Sequence, residues 1–140
     1  MVFSHIGLNC RDMATTEAFY TDIFGFKRAR VLDIGENPGD LQIIFLKLGS
    51  MYLELFQAEG DANPHAADGS HQAGLIRHLA FQVEDVDAVL ATLDNPDITL
   101  GPAAFDDFIA GWKTVWVRDP DGNIVEISQG FQDDLELLSS

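Results

Sequence analysis

The chain has 140 residues, 46% of them apolar and 22% charged, which is about one domain's worth of globular sequence and too apolar for a disordered one. Its formal net charge of −15 repels nucleic acid and anionic membrane over most of the surface, and no apolar run is long enough to span a bilayer. A single cysteine, Cys10, leaves no internal disulfide, and little chain precedes the first predicted strand to serve as a leader, so a cytoplasmic location is expected.

Residues 2–10 predict a strand in which His5 shares a face with Phe3 and Gly7, while Ile6 and Leu8 point the other way. Asp12 has the form of a helix N-cap. The helix after it carries Phe19, Tyr20, Ile23 and Phe24, with Gly25 as its stop. Strands are expected near 26–34 and 41–48, separated by the turn-forming run Gly35–Asp40, and Gly49-Ser50 turns into a further strand, Met51–Gln57. Lys27, Arg28 and Arg30 form a tight cationic cluster, read as a solvated strand flank. Residues 58–74 are small and polar and predict a linker, long enough for a lid or an exchanged arm.

The pattern then repeats. Leu75–Val83 predicts a strand, and Asp85 caps a helix bearing Val86, Val89, Leu90 and Leu93 at helical spacing. Strands are expected near 97–104 and 112–118, and Asp119-Pro-Asp-Gly122 turns into the strand of Glu126. The acidic tail, 130–140, holds Leu135, Leu137 and Leu138 and reads as a short terminal helix. Modules are therefore expected at 1–57 and 75–129, joined by 58–74. The fold class is α+β: two βαβββ modules whose curved mixed sheets form a metal-binding cup.

The repeat reaches individual side chains. Ser4-His-Ile-Gly-Leu is echoed by Arg77-His-Leu-Ala-Phe, and Met51-Tyr-Leu-Glu-Leu-Phe-Gln by Asn123-Ile-Val-Glu-Ile-Ser-Gln. Each copy opens with a His and closes with a Glu, and strand alternation sends His5, Glu54, His78 and Glu126 to the faces opposite the helices. A Glu in an alternating strand is ordinarily solvated, and a His near a strand start ordinarily lies at the surface. Two enclosed carboxylates, however, demand a cation, and two imidazoles with two carboxylates suit a divalent transition metal.

These residues, the paired βαβββ units and the closing hairpin Arg118-Asp-Pro-Asp-Gly-Asn-Ile-Val-Glu126 resemble the vicinal oxygen chelate superfamily over residues 2 to 129. The ligand set and chain length are most like glyoxalase I, the lactoylglutathione lyase. That resemblance implies a homodimer with the metal site shared between subunits, and a divalent ion (Ni, Zn, Co, Mn or Fe) held by His5, Glu54, His78 and Glu126. It also implies a small substrate with vicinal oxygens, such as the hemithioacetal of methylglyoxal and glutathione, whose enediolate the metal stabilises. Glu126 would move the proton, with Glu54 as ligand and second base. One departure stands out. Where the resembling enzymes grip glutathione with an Arg and an Asn, this chain has Asn9 and Ala58.

Four other activities within the superfamily fit the sequence less well. A thioester epimerase uses similar proton chemistry, but usually has Gln at the place of Glu54 and a further Glu where Gln42 stands. Ring-cleaving dioxygenases and fosfomycin thiol transferases lack a fourth ligand like Glu54. A metal-free, drug-sequestering binder would use Phe105, Phe108, Trp112 and Trp116 as a groove, although Trp116 reads as core or interface. His65 and His71 read as solvated linker residues, and Cys10 as structural.

Overall fold

In the computed structural model, which describes residues 1–140, the chain forms two four-stranded mixed sheets of the same strand order. The first is built from β1 (His5–Cys10), β2 (Lys27–Asp33), β3 (Gln42–Leu48) and β4 (Met51–Gln57), arranged β1-β4-β3-β2. The second is built from β5 (Leu79–Gln82), β6 (Ile98–Ala104), β7 (Lys113–Arg118) and β8 (Ile124–Gln129), arranged β5-β8-β7-β6. In each sheet the first strand lies parallel to the last and the other pairs are antiparallel. This is the α+β, twice-written βαβββ architecture expected of the sequence. The chain falls into two compact units. One is Met1–Pro64 with Asp119–Gly122; the other is His65–Arg118 with Asn123–Ser140.

In the first unit, α1 (Met13–Phe24) starts where Asp12 accepts a hydrogen bond from the Thr15 N–H and ends at Gly25, whose left-handed backbone (φ 76°) bonds back to Tyr20 and Thr21. Its buried Tyr20 packs over the face carrying Leu8, Ile44, Leu46, Leu53 and Leu55, all of them buried. Each such aliphatic contributes about 1.5–3 kcal/mol by leaving water. The turn Asp119–Gly122 is fastened to the same helix. Tyr20 donates to Asp119 Oδ2 at 2.8 Å, Thr16 to Asp121 Oδ2 at 2.7 Å, and the Arg11 N–H to Asp121 Oδ1 at 2.9 Å. Burial and the Asp119 carboxylate push the Tyr20 hydroxyl well above its usual pKa, so it stays a donor.

The second unit repeats this with a shorter helix, α2 (Val86–Ala91), capped by Asp85 and by the Gln129 side chain, which accepts from the Val86 N–H at 2.7 Å. The apolar spacing predicts a helix running to Leu93, but it stops at Thr92. Pro96 disfavours helical backbone at Asn95, which instead takes φ 48°, and the Thr92 hydroxyl bonds the Val89 carbonyl. Two strands are also shorter than expected. Residues 2–4 are exposed and outside β1, and β5 begins at Leu79 because Ser70 takes the Arg77 carbonyl and Leu75 closes a turn on Gln72. The tail folds as α3 (Leu135–Leu138) with its leucines exposed. No helix is long and apolar enough to cross a membrane.

Candidate active site

The face of the first sheet opposite α1 carries both predicted residues of that module. His5 lies beside Tyr52 in the ladder and Gly7 beside Glu54, so the imidazole sits one pleat from the carboxylate on the neighbouring strand. Gly7 leaves the space between them open, since a Cβ there would come 3.3 Å from the Phe56 ring and 4.0 Å from Glu54 Oε2. The Ser4 hydroxyl pairs with His5 Nδ1 at 2.8 Å, and His5 Nε2 faces Glu54 Oε2 at 3.4 Å. Phe45, opposite Glu54 in the ladder, meets the His5 ring edge-on at 6.0 Å.

The second sheet builds the same pair from His78 and Glu126, with Nε2 and Oε2 3.0 Å apart and Ala80 in the place of Gly7. Its surroundings are drier. The Glu126 side chain is 9% exposed against 17% for Glu54, and that of His78 26% against 46% for His5. Burial raises the pKa of Glu126 above the ordinary carboxylate value, opposed by His78 and by the indole of Trp116, its cross-strand neighbour. A pocket of about 360 Å3 opens beside it, lined by His78, Gln82, Trp112, Glu126, Ser128 and Phe131 among others. Trp112 donates to the Ser128 hydroxyl at 2.9 Å and stacks edge-on with Phe131.

Buried polar side-chain atoms without a partner gather on this face, at His78 Nδ1, Thr114 Oγ1 and Arg118 Nε, and the Trp116 indole N–H, which lies toward Glu126, falls short of full hydrogen-bond geometry. The register explains the grouping, because Thr114, Trp116 and Arg118 pair with Ser128, Glu126 and Ile124 and so share their side of the sheet. Unsatisfied buried polar groups cost about 1–3 kcal/mol each, so their grouping sets this face apart from the rest of the sheet. The reading of Trp116 as core or interface leaves its place beside Glu126 unstated. The available signal was the alternation Thr114-Val-Trp-Val-Arg118, which puts both valines on one side and the three polar-capable residues on the other.

Both pairs present atoms that ligate metals. Two donors each about 2.1 Å from one ion lie roughly 3.0 Å apart in octahedral geometry and roughly 3.4 Å apart in tetrahedral geometry, so the observed separations fit neighbouring positions on a divalent cation. Within one chain, no three His, Cys, Asp or Glu residues come together as a metal-holding group.

The remaining candidates fall elsewhere. His71 is tied to Asp68 at 2.6 Å, with Arg77 bridging the two, in an exposed cluster. His65 departs from its solvated reading. Its carbonyl accepts from Arg118 at 3.1 Å and its Nδ1 is buried without a partner. Cys10 is fully buried, and desolvation pushes its thiol up to about 12, as suits a structural residue. Asn9 shares the His5 face beside Phe56, and the Ala58 N–H bonds the Cys10 carbonyl.

Comparison with known proteins gives the chain's family and fold relatives. Residues 2–127 match the profile of the Glyoxalase/Bleomycin resistance protein/Dioxygenase superfamily. "Uncharacterized protein YaeR" of Escherichia coli K12 is 29% identical over 126 residues, covering 88% of this chain and 92% of that protein. The crystal structure of a glyoxalase family protein from Enterococcus faecalis superposes with a TM-score of 0.64 at 34% identity, covering 89% of this chain and 94% of that one. The fosfomycin resistance protein FosX from Mesorhizobium loti shares the fold, with a TM-score of 0.64 at 19% identity over 99% and 98% of the two chains.

Proposed function

The chain belongs to the glyoxalase/bleomycin resistance protein/dioxygenase superfamily, and from that premise we propose that it is a metal-dependent lyase or isomerase of the glyoxalase I type. It acts on a small substrate with two neighbouring oxygens and an acidic C–H bond, and the hemithioacetal of methylglyoxal and glutathione is the first candidate. The observation that carries the reading is Glu126: a carboxylate dried by its strand, raised in basicity, against an imidazole and beside a pocket.

His5, Glu54, His78 and Glu126 would hold the ion. As the family resemblance implies, a second copy would complete the set, His5 and Glu54 of one subunit facing the partner's other pair. A divalent ion bound there supplies Lewis acidity to the substrate oxygens. The chain's own residues do the rest. Glu126 accepts the proton from the substrate carbon and returns it to the neighbouring carbon, with His78 3.0 Å from its carboxylate. Trp116, whose indole lies toward Glu126, would orient the carboxylate and the substrate beside it, and Trp112 and Phe131 would form an aromatic wall of the pocket.

The test is turnover of methylglyoxal plus glutathione after loading the protein with nickel, cobalt, zinc, manganese or iron in turn, beside a Glu126→Gln variant. The expected result is activity with at least one metal and its loss in the variant. Unchanged activity in the variant would remove Glu126 from the role of base. No turnover with any metal would reject this substrate.

A further inference from the structure

In a chain of net charge −15 most cations have an acidic partner, which makes the exceptions informative. Of the eight lysines and arginines, Arg11 sits against Asp121, Arg28 against Glu17, Arg77 against Asp68, Lys113 against Asp87 and Arg118 against Asp97. Lys27, Arg30 and Lys47 have no carboxylate. All three fall on one surface. Lys27 pairs with Lys47, Lys47 with Tyr52 and Arg30 with Phe45, so each points to the side of the first sheet that bears His5 and Glu54.

The register shift between Arg28 and Arg30 is what puts Arg30 there. In an unbroken strand Arg28 and Arg30 would share a side, and both would lie over the helix face. The extra residue, Ala29, turns Arg30 to the opposite side and leaves Arg28 bonded to Glu17 next to α1. The cluster that reads as a uniform solvated flank is therefore split into a structural arginine and a free one. Arg30 lines a pocket of about 350 Å3 with Ser4, His5, Phe45 and Tyr52, and no carboxylate takes part in that lining.

We infer that Arg30, supported by Lys27 and Lys47, binds an anionic group of the substrate, a carboxylate or phosphoryl group carried on a small apolar body. The guanidinium fork matches such a planar or tetrahedral oxyanion in two-point fashion. The surrounding acidic field repels anions everywhere else, so this patch is where one settles. Phe45, Leu32 and Tyr52 supply the apolar wall. The inference rests on the reading of the His5 face as half of a substrate site, and its test is run without metal so that the two fail separately.

The experiment titrates the full-length, chelator-treated protein with phenylphosphonate, and with benzyl alcohol as a neutral counterpart, following the Arg30 side-chain and the Ser4 and Tyr52 amide resonances. Saturable shifts at those three residues with phenylphosphonate are expected, and none with benzyl alcohol. Arg30→Gln should weaken binding about tenfold, while Lys113→Gln, which removes the same charge from an ion pair on the other module, should leave it unchanged. Absence of saturable shifts, equal response to benzyl alcohol, or equal weakening by both substitutions would overturn the assignment. A failed metal titration with intact phenylphosphonate binding would instead count against the metal reading alone.

Discussion

The two His–Glu pairs occupy equivalent places in equivalent sheets, yet they sit in unlike company. Around Glu54 the ladder supplies Phe45, Tyr52 and Lys47, with His5 half open to solvent. Around Glu126 the corresponding positions are Trp116, Ile124 and Arg118, and the carboxylate is nearly sealed. A repeat thus fixes where the donor atoms stand, while the side chains between the repeats decide what each carboxylate does. Under the proposed function, the open, cation-rich copy would serve ligation and the grip on a charged substrate, and the closed, aromatic copy proton transfer.

That division is most sharply broken by neutralising each carboxylate in turn. Glu126→Gln should lower kcat of the metal-loaded enzyme by about a thousandfold, the range of a lost general base, and Glu54→Gln by about ten- to a hundredfold, the range of a weakened metal site. Steady-state kinetics at saturating metal separate them, and equal losses would erase the distinction. Smaller in effect, exchanging the cross-strand neighbours tests whether Trp116 orients the substrate: Trp116→Phe should cost about tenfold in kcat/KM, and Phe45→Leu, its counterpart, less than about twofold.

Much of this was open to inspection in the chain itself. Strand alternation with a His in the opening strand and a Glu in the closing one identifies both pairs, because a period of two leaves no choice of side once the strand is assigned. What alternation does not carry is registry between strands. Trp116 becomes a neighbour of Glu126 only through the pairing of β7 with β8, and Arg30 reaches the His5 side only because Ala29 bulges. The early stop of α2 follows from a proline beyond its apolar repeat, and the hold of Asp121 on Thr16 and Arg11 spans more than a hundred positions, beyond any local pattern.

That long-range hold gives a difference in stability. Asp121→Ala removes the acceptor for the Arg11 N–H and for the buried Thr16 hydroxyl, and should destabilise the protein by about 2 kcal/mol in urea unfolding, with metal-free kinetics of phenylphosphonate binding unaffected. An Asp121→Asn variant keeps an acceptor and should lose less. The smallest effect concerns Cys10. With its thiol raised from 9.0 to about 12 by desolvation, the folded chain holds the proton that the unfolded chain gives up, so stability falls as pH rises from about 9 to about 12. Reaction with a soluble disulfide reagent should therefore stay negligible from about pH 7 to 9 and proceed fully in denaturant; rapid labelling of the native protein would place Cys10 in a more open setting.

The central claim is that one working site takes His5 and Glu54 from one subunit and the other pair from its partner. It is tested by co-refolding equal amounts of a Glu126→Gln variant and a His5→Ala/Glu54→Ala variant, each inactive alone, and assaying the metal-loaded mixture. Random pairing puts half of the dimers in the mixed form, each with one intact site, so activity should return to about a quarter of the unaltered protein's. A mixture no more active than its two components would contradict the account.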